Sequence, residues 1–298
     1  MKTDWRCVES EAERDIMTRS VRVGHDVTIV SAICMYSGTT FYHAVRPLLW
    51  SGESKNATSE TTRLLAYPGT DRFLDPRIGY NYEIIFCTVY VTSFFISSVV
   101  TGACNLAAMF VTHACGQIQI IMSRLEKLLG NEEKIDRVAV ADRIAFIIHC
   151  HVRVLKFSSQ IDRVLQEICL LEVVSSTIII CLTEYYCMTE WSNSDSVALI
   201  TYAILFTSFS LNVYIYCHVG ELLKDQVMEL IGVRIAAYNL EWYRLPDRVG
   251  LALVMVIIVA NYPPKLTAGK MIELSIYTFG TIMRTTLGYL NMLRTVTE

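Results

Sequence analysis

A stripe of small and hydroxyl side chains runs along the last apolar segment of the chain. Its members recur at steps of 3, 4, 3, 4 and 3 residues, which places them on one helix face: Thr278, Thr281, Thr285, Gly288, Met292 and Thr295. Hydroxyl groups on such a face can solvate cations in a water-filled pore without trapping them. The alternative is a tight helix-packing seam, which also selects small residues.

Some charged residues lie inside the apolar segments. Arg284 is in the middle of the last segment, and Glu172 and Glu184 are in an earlier one. An unpaired cation at the bilayer centre costs at least about 2.5 kcal/mol, so Arg284 should face water, the interior of a helix bundle or a carboxylate. Both glutamates are candidate partners, and the same groups would also suit a proton relay in a transporter.

Aromatic and hydroxyl side chains gather in the outer halves of three apolar segments. An apolar cage with one or two hydroxyl groups is the chemistry expected around a small ligand with little polar surface. Each ring could equally be an ordinary packing residue. The candidates are Tyr36, Thr40, Phe41, Phe94, Phe95, Ser98, Tyr202 and Phe206.

The sequence gives little support for an enzyme or a metal site. His149 and His151 flank a cysteine, and His113 and Cys115 are two further possible ligands. Alternate residues of a helix point to different sides, however, so His149 and His151 would not chelate one ion. No phosphate-binding glycine loop, nucleophile elbow or pair of catalytic carboxylates is recognisable, so no cofactor is expected. The ten cysteines are irregularly spaced and mostly lie in apolar runs, which predicts reduced thiols.

The composition places these residues in a membrane protein. The 298-residue chain is 53% hydrophobic and 18% charged, with a mean hydropathy of +0.38, whereas a soluble domain is roughly 25% charged. Its apolar residues form runs of about twenty, the length that crosses a lipid bilayer as a helix. The net charge of −3 gives no indication of nucleic-acid binding.

The runs predict an all-α polytopic bundle, a single membrane domain over residues 1–298. Five crossings are expected at residues 28–50, 84–112, 166–188, 197–217 and 271–293. Between them, residues 113–165 and 218–262 continue the helical pattern, with Ile118, Ile121 and Leu125 on an apolar face and Arg124 on the opposite, polar face. We expect these stretches to form a cytoplasmic helical bundle that anchors the spans, and the alternative is that long helices project into water. The prolines at 263 and 264 interrupt the chain, and Thr267 is the candidate N-cap of the last crossing.

Basic residues indicate how the chain is oriented. Seventeen Lys and Arg residues flank the spans on one side and five on the other, which predicts a cytoplasmic N-terminus and an extracellular C-terminus. The sequence Asn56-Ala57-Thr58 is a glycosylation acceptor, and it lies on the side predicted to be outside.

Several motifs resemble one family of receptors. They are His-Ala-Cys-Gly-Gln at residues 113–117, Glu-Trp-Tyr-Arg-Leu-Pro at 241–246, and Pro-Lys-Leu-Thr-Ala-Gly-Lys at 264–270, followed by Phe279 and Tyr289. Over nearly the whole chain they resemble the insect odorant receptors, in the style of the expanded subfamilies of ants, bees and wasps. The resemblance implies a plasma-membrane receptor of olfactory neurons. It further implies a non-selective cation channel that is gated by a small volatile odorant and assembled with a shared co-receptor as a heterotetramer.

The resemblance also suggests site residues and one departure. In the family the last helix lines the pore, and position relative to Tyr289 maps its hydrophobic constriction onto Met292 and Val296. Family members are longer, and the segment from Asp4-Trp5 resembles the stretch before their third span. The first two spans would then be missing, which should leave Ser31, Thr39, Ser97 and Thr101 facing lipid or water.

Two rival functions remain. A G-protein-coupled type of receptor has seven helices, but the predicted extracellular C-terminus disfavours it. A secondary transporter of a small apolar ligand would normally show internal repeats and two interrupted helices in matching positions, and only one interruption is visible.

Overall fold

The computed structural model describes residues 10–45, 79–130, 137–193, 196–238 and 265–297, together with Trp5 and Val8. These residues form helices and one short hairpin, which confirms the all-α class. The α-helices are α1 (Glu11–Thr40), α2 (Gly79–Gly130), α3 (Arg137–Asn193), α4 (Ser196–Tyr238) and α5 (Ile276–Thr297). A π-helical turn at Phe41–Val45 extends α1. Strands β1 (Thr267–Ala268) and β2 (Ile272–Glu273) pair antiparallel.

Three described helical stretches are long and apolar enough to cross a membrane: Glu83–Lys127, Asp142–Trp191 and Ser196–Gln226. They contain the spans predicted at 84–112, 166–188 and 197–217. Helix α3 has 57 residues. At 1.5 Å per residue it is about 86 Å long, which far exceeds a hydrocarbon core of about 30 Å. Helices α1 and α5 lie at the two remaining predicted spans, and residues 46–50 of the first lie outside the described residues.

The predicted start of the last helix was wrong. Thr267 lies in β1 rather than at an N-cap, and the helix begins at Ile276 instead of near Met271. Gly269 and Lys270 both have a φ of +59°, and this left-handed backbone turns the chain into a hairpin. The hydroxyl of Ser275 caps α5 by accepting a hydrogen bond from the Thr278 amide at 3.2 Å.

The chain forms two compact units. Unit 1 comprises Met1–Val27, Leu106–Leu171 and Tyr216–Thr278. The helical spacing of Ile118, Ile121 and Leu125 predicted one apolar face, and all three side chains are buried in this unit. Within it, the expected polar face of α2 is partly buried as well. Arg124 donates two hydrogen bonds to the Glu13 carboxylate, at 2.7 and 2.8 Å, and lies 5.0 Å from the ring centroid of Phe146.

The hairpin docks on α3 and α4 within unit 1. The backbone amide and hydroxyl of Thr267 both donate to Asp162 Oδ1 at 2.8 Å, and the Gly269 amide donates to the Gln166 carbonyl at 2.8 Å. On the α4 side, Glu221 accepts a hydrogen bond from the Ile276 amide at 3.1 Å. These contacts fix the position from which α5 begins.

Unit 2 comprises Thr28–Asn105, Glu172–Ile215 and Phe279–Glu298. Its core includes Met35, Ile180, Ala198 and Val213, all nearly or fully buried. Large apolar side chains remain exposed on its helices, among them Val99, which is 71% exposed. An apolar exterior of this kind is expected for helices surrounded by lipid.

Candidate pore-lining helix and ligand pocket

One face of α5 packs inside unit 2. Thr286 is fully buried, and its hydroxyl donates to Glu184 on α3 at 3.3 Å. The ring of Phe279 makes an edge contact with Tyr214 on α4, with 5.5 Å between ring centroids. The contacts of this face are therefore made by residues outside the predicted stripe.

The stripe itself forms an exposed face of α5. Thr281, Thr285, Gly288, Met292 and Thr295 are all exposed. A side chain built at Gly288 would meet nothing within 4 Å. The hydroxyl of Thr285 donates to the Thr281 carbonyl at 2.8 Å, a bond that leaves its remaining lone pairs directed outward. An exposed face is not a packing seam with the described helices of this chain.

Two other predicted residues of this helix, Thr278 and Val296, do not belong to the exposed face that the structure describes. Thr278 is half-buried, and its hydroxyl donates to the Glu273 carbonyl at 2.7 Å, so it secures the turn before α5. Val296 lies within α5, and its side chain lies outside the described residues. The stripe that the structure describes therefore runs from Thr281 to Thr295.

Of the three environments expected for Arg284, the structure favours an exposed one over pairing with a glutamate. Arg284 is exposed, and no described carboxylate forms a salt bridge with it. Glu172 instead accepts a hydrogen bond from Asn212 Nδ2 at 2.7 Å, and Glu184 accepts the Thr286 hydroxyl. Since Arg284 is one turn from Gly288, it lies beside the exposed stripe.

Three of the eight ligand candidates meet in unit 2. The Tyr36 hydroxyl donates to Ser98 Oγ at 3.0 Å, and the rings of Tyr36 and Phe94 lie 5.1 Å apart between centroids. Helices α1 and α2 thus present two aromatic rings and a hydroxyl pair together. Nearby on the same helices, Thr40 is exposed and Phe41 is half-buried in the π-helical turn.

The remaining candidates are differently placed. Tyr202 is buried and stacks on Tyr186, with 5.3 Å between ring centroids, whereas Phe206 is half-buried. Phe95 is 65% exposed, as expected of a lipid-facing ring. Sequence reasoning missed Tyr186, although the adjacent pair Tyr185-Tyr186 near the C-terminal end of α3 was a usable signal.

The polar side chains expected to face lipid or water are instead inside unit 2. Ser31, Ser97 and Thr101 are buried, and Thr39 shares a hydrogen bond with Ser97 at 2.5 Å. That expectation was wrong because α1 and α2 turn these polar residues toward the other helices of the unit.

The histidines considered for metal binding do not converge. His149 is exposed and His151 is buried, so the two lie on different sides of α3. His113 makes an edge contact with Phe157, with 5.7 Å between ring centroids. Within the described ranges, no group of three His, Cys, Asp or Glu side chains could hold a metal ion. The glycosylation acceptor Asn56 lies outside the described residues.

Curated relatives of this chain are insect odorant receptors. Odorant receptor 10 of Aedes albopictus is 23% identical over 242 residues, which cover 77% of this chain and 58% of the relative. Odorant receptor 13a of Drosophila melanogaster is 22% identical over 219 residues, which cover 69% of this chain and 50% of the relative. The chain thus spans about half the length of the curated relatives it matches.

The fold is shared with a solved receptor. The structure of the insect olfactory receptor OR5 from Machilis hrabei in complex with eugenol matches with a TM-score of 0.76 at 12% identity, covering 96% of this chain and 70% of that one. A second structure of the same receptor matches with a TM-score of 0.69 at 14% identity, covering 95% of this chain and 69% of that one. The sequence model of the family described as 7tm Odorant receptor matches residues 1–287. The chain therefore belongs to the 7tm odorant receptor family of insects.

Proposed function

We propose that this chain is the odorant-binding and pore-forming subunit of a ligand-gated, non-selective cation channel. It would work in the plasma membrane of olfactory neurons, with a shared co-receptor, as a heterotetramer. The observation that carries the proposal is the exposed stripe on α5. Family membership supports the odorant-receptor role.

The two faces of α5 suit a helix that lines a central axis. Phe279 and Thr286 attach it to the rest of unit 2, while the stripe from Thr281 to Thr295 faces away from those contacts. If the subunits of the heterotetramer surround an axis, each copy of this chain contributes hydroxyl groups to the pore wall, which replace part of the hydration shell of a passing cation. Met292, which is 64% exposed, would contribute an apolar side chain at the constriction.

The cluster of Tyr36, Phe94 and Ser98 supports binding of a small apolar ligand. It combines two aromatic rings with a hydroxyl pair, which can orient one polar group of an otherwise apolar molecule. Tyr202 and its partner Tyr186 provide a second aromatic surface in the same unit. The Machilis hrabei receptor was solved in complex with eugenol, and we propose a ligand of similarly small size here.

The proposed orientation rests on the distribution of basic residues. Seventeen Lys and Arg residues on one side and five on the other support a cytoplasmic N-terminus and an extracellular C-terminus. In that orientation Asn56 is on the extracellular side and available for glycosylation. Antibody staining of a tag after Glu298 on intact cells tests this, and staining only after permeabilisation would overturn it.

Cysteine accessibility tests the pore. Single cysteines at Thr281, Thr285 or Met292, in the receptor expressed with its co-receptor, should react with water-soluble thiol reagents during odorant exposure and reduce the current. Matched cysteines at Ile282 and Leu290 are half-buried and should change the current little. Equal effects at both sets of positions would contradict the proposal and favour a packing seam between subunits.

A further inference from the structure

A group of buried polar side chains lies inside unit 2, apart from the stripe and the aromatic clusters. Ser31 on α1 is fully buried, and Thr101 on α2 is 4% exposed. Glu172 on α3 is 8% exposed, and Asn212 on α4 is 1% exposed. Four helices thus contribute polar atoms to the interior of a unit whose outer surface is apolar.

The carboxylate of Glu172 is held by hydrogen-bond donors. Asn212 Nδ2 donates to its Oε1 at 2.7 Å, and the Ser176 hydroxyl lies 3.5 Å from the same oxygen. Both partners donate, which is the arrangement that an ionised carboxylate requires. Among the described residues, no Lys, Arg or His forms an ion pair with Glu172. A buried carboxyl group is thus held by neutral hydrogen-bond donors, with no ion-pairing cation among the described residues.

Several buried oxygen atoms of unit 2 have no hydrogen-bond partner within the described part of the chain. They include the amide oxygen of Asn212 and the hydroxyl oxygen of Thr101. Cys104 joins the two halves of the group, because its thiol lies beside Ser31 and within electrostatic range of Glu172. Thr101 is three residues from Cys104, on the same face of α2. The amide oxygen of Asn105, next to Cys104, is likewise unpaired.

An amide oxygen can only accept a hydrogen bond or bind a cation. A carboxylate, two amide oxygens and two hydroxyl groups are hard oxygen ligands of the kind that alkali and alkaline-earth ions prefer. Divalent ions are usually held by several carboxylates, and this group contains one. The single negative charge therefore matches a monovalent cation, whose binding would also remove the cost of a buried, unpaired charge.

We propose that Glu172 and Asn212, with Ser31, Thr101 and Asn105, form an internal site for one sodium ion. The ion would bridge helices α1 to α4 of unit 2 and stabilise their packing. This site is separate from the stripe on α5, so its existence does not depend on the proposed channel function.

Thermal unfolding of the purified chain in detergent tests the site. The melting temperature is measured in sodium chloride and in N-methyl-D-glucamine chloride at equal ionic strength, so that general screening is the same. Sodium should raise the melting temperature with a dependence on sodium concentration that saturates. At a sodium concentration ten times the Kd of the site, the equilibrium constant for unfolding should be about tenfold lower than without sodium. Equal melting temperatures in both salts would overturn the proposal, and would identify the group as a hydrated or protonated cluster.

Two variants localise the effect. Glu172→Gln keeps the shape of the side chain and removes its charge, so the sodium-dependent shift should disappear. Glu167→Gln changes an exposed glutamate on the same helix and should keep the full shift. If Glu172→Gln does not fold, Ser31→Ala provides the second variant, and its sodium titration should shift to higher concentration. Retention of an unchanged sodium response in a folded Glu172→Gln or Ser31→Ala protein would place the ion elsewhere.

Discussion

Replacing Gly220 with alanine is expected to weaken the docking of the hairpin on α4. A Cβ at this position would lie 2.2 Å from the Leu274 carbonyl oxygen and 2.9 Å from the Leu274 Cβ. The first obstacle is backbone, so it cannot rotate away as a flexible side chain would. Leu274 is 1% exposed, and its amide donates to the Leu266 carbonyl at 3.0 Å. The hairpin must therefore shift by about 1 Å, judged from a normal C···O contact of about 3.3 Å.

The size of the effect follows from two opposing terms. Overpacking of a well-packed site costs typically about 1–3 kcal/mol, and a clash with backbone belongs at the upper end of that range. Alanine is favoured over glycine in a helix by about 1 kcal/mol, which offsets part of the cost. We expect a net loss of about 2 kcal/mol in unfolding free energy. For a chain of this size, that loss lowers the melting temperature by about 4–8 °C.

A thiol-reactive fluorophore provides the assay, because unfolding exposes buried cysteines such as Cys104, Cys169 and Cys217. Gly102→Ala is the matched control, since a Cβ at Gly102 in α2 meets nothing within 4 Å. The control should keep or slightly raise the melting temperature. If Gly220→Ala melts at or above the temperature of Gly102→Ala, the close approach of the hairpin to α4 is refuted.

Three further substitutions test other contacts. Glu13→Gln breaks the partly buried pair with Arg124 and should cost about 3–5 kcal/mol, seen as a lower melting temperature. Glu126→Gln, at an exposed position of α2, should have no effect, and equal melting of the two variants would contradict a structural role for the pair. Tyr36→Phe keeps the ring but removes the hydroxyl that bonds to Ser98, so the odorant concentration for half-maximal current should rise about 2- to 12-fold. An unchanged dose-response curve would show that this hydroxyl does not take part in ligand binding. Arg284→Gln removes a positive charge beside the stripe and should raise single-channel cation conductance, whereas an unchanged conductance would show that this charge is remote from the ion path.

Periodic features of the sequence predicted the local structure well. The spacing of Ile118, Ile121 and Leu125 placed them on one helix face, which is buried, and the steps from Thr281 to Thr295 placed those residues on one face of α5. Both predictions need only the 3.6-residue period of a helix, which each segment carries within itself. The apolar runs indicated membrane helices for the same reason, because their length and composition are local properties.

Partners that are distant in the sequence could not be predicted in this way. Thr267 was expected to cap a helix, but its hydroxyl bonds to Asp162, which is 105 residues away. Glu172 and Glu184 were possible partners of Arg284, but they accept hydrogen bonds from Asn212 and Thr286. A polar side chain binds whichever complementary group the packing brings near, and no local pattern identifies that group.

The sequence by itself determined that the chain is a bundle of membrane helices and which side chains share each helix face. The tertiary structure decided which faces pack together. It placed Thr286 inside and the stripe from Thr281 to Thr295 outside, and it directed Ser31 and Thr101 toward the interior. The physical reason is that lipid supplies no hydrophobic drive between helices. Their arrangement is therefore set by close packing and by hydrogen bonds between polar groups on separate helices.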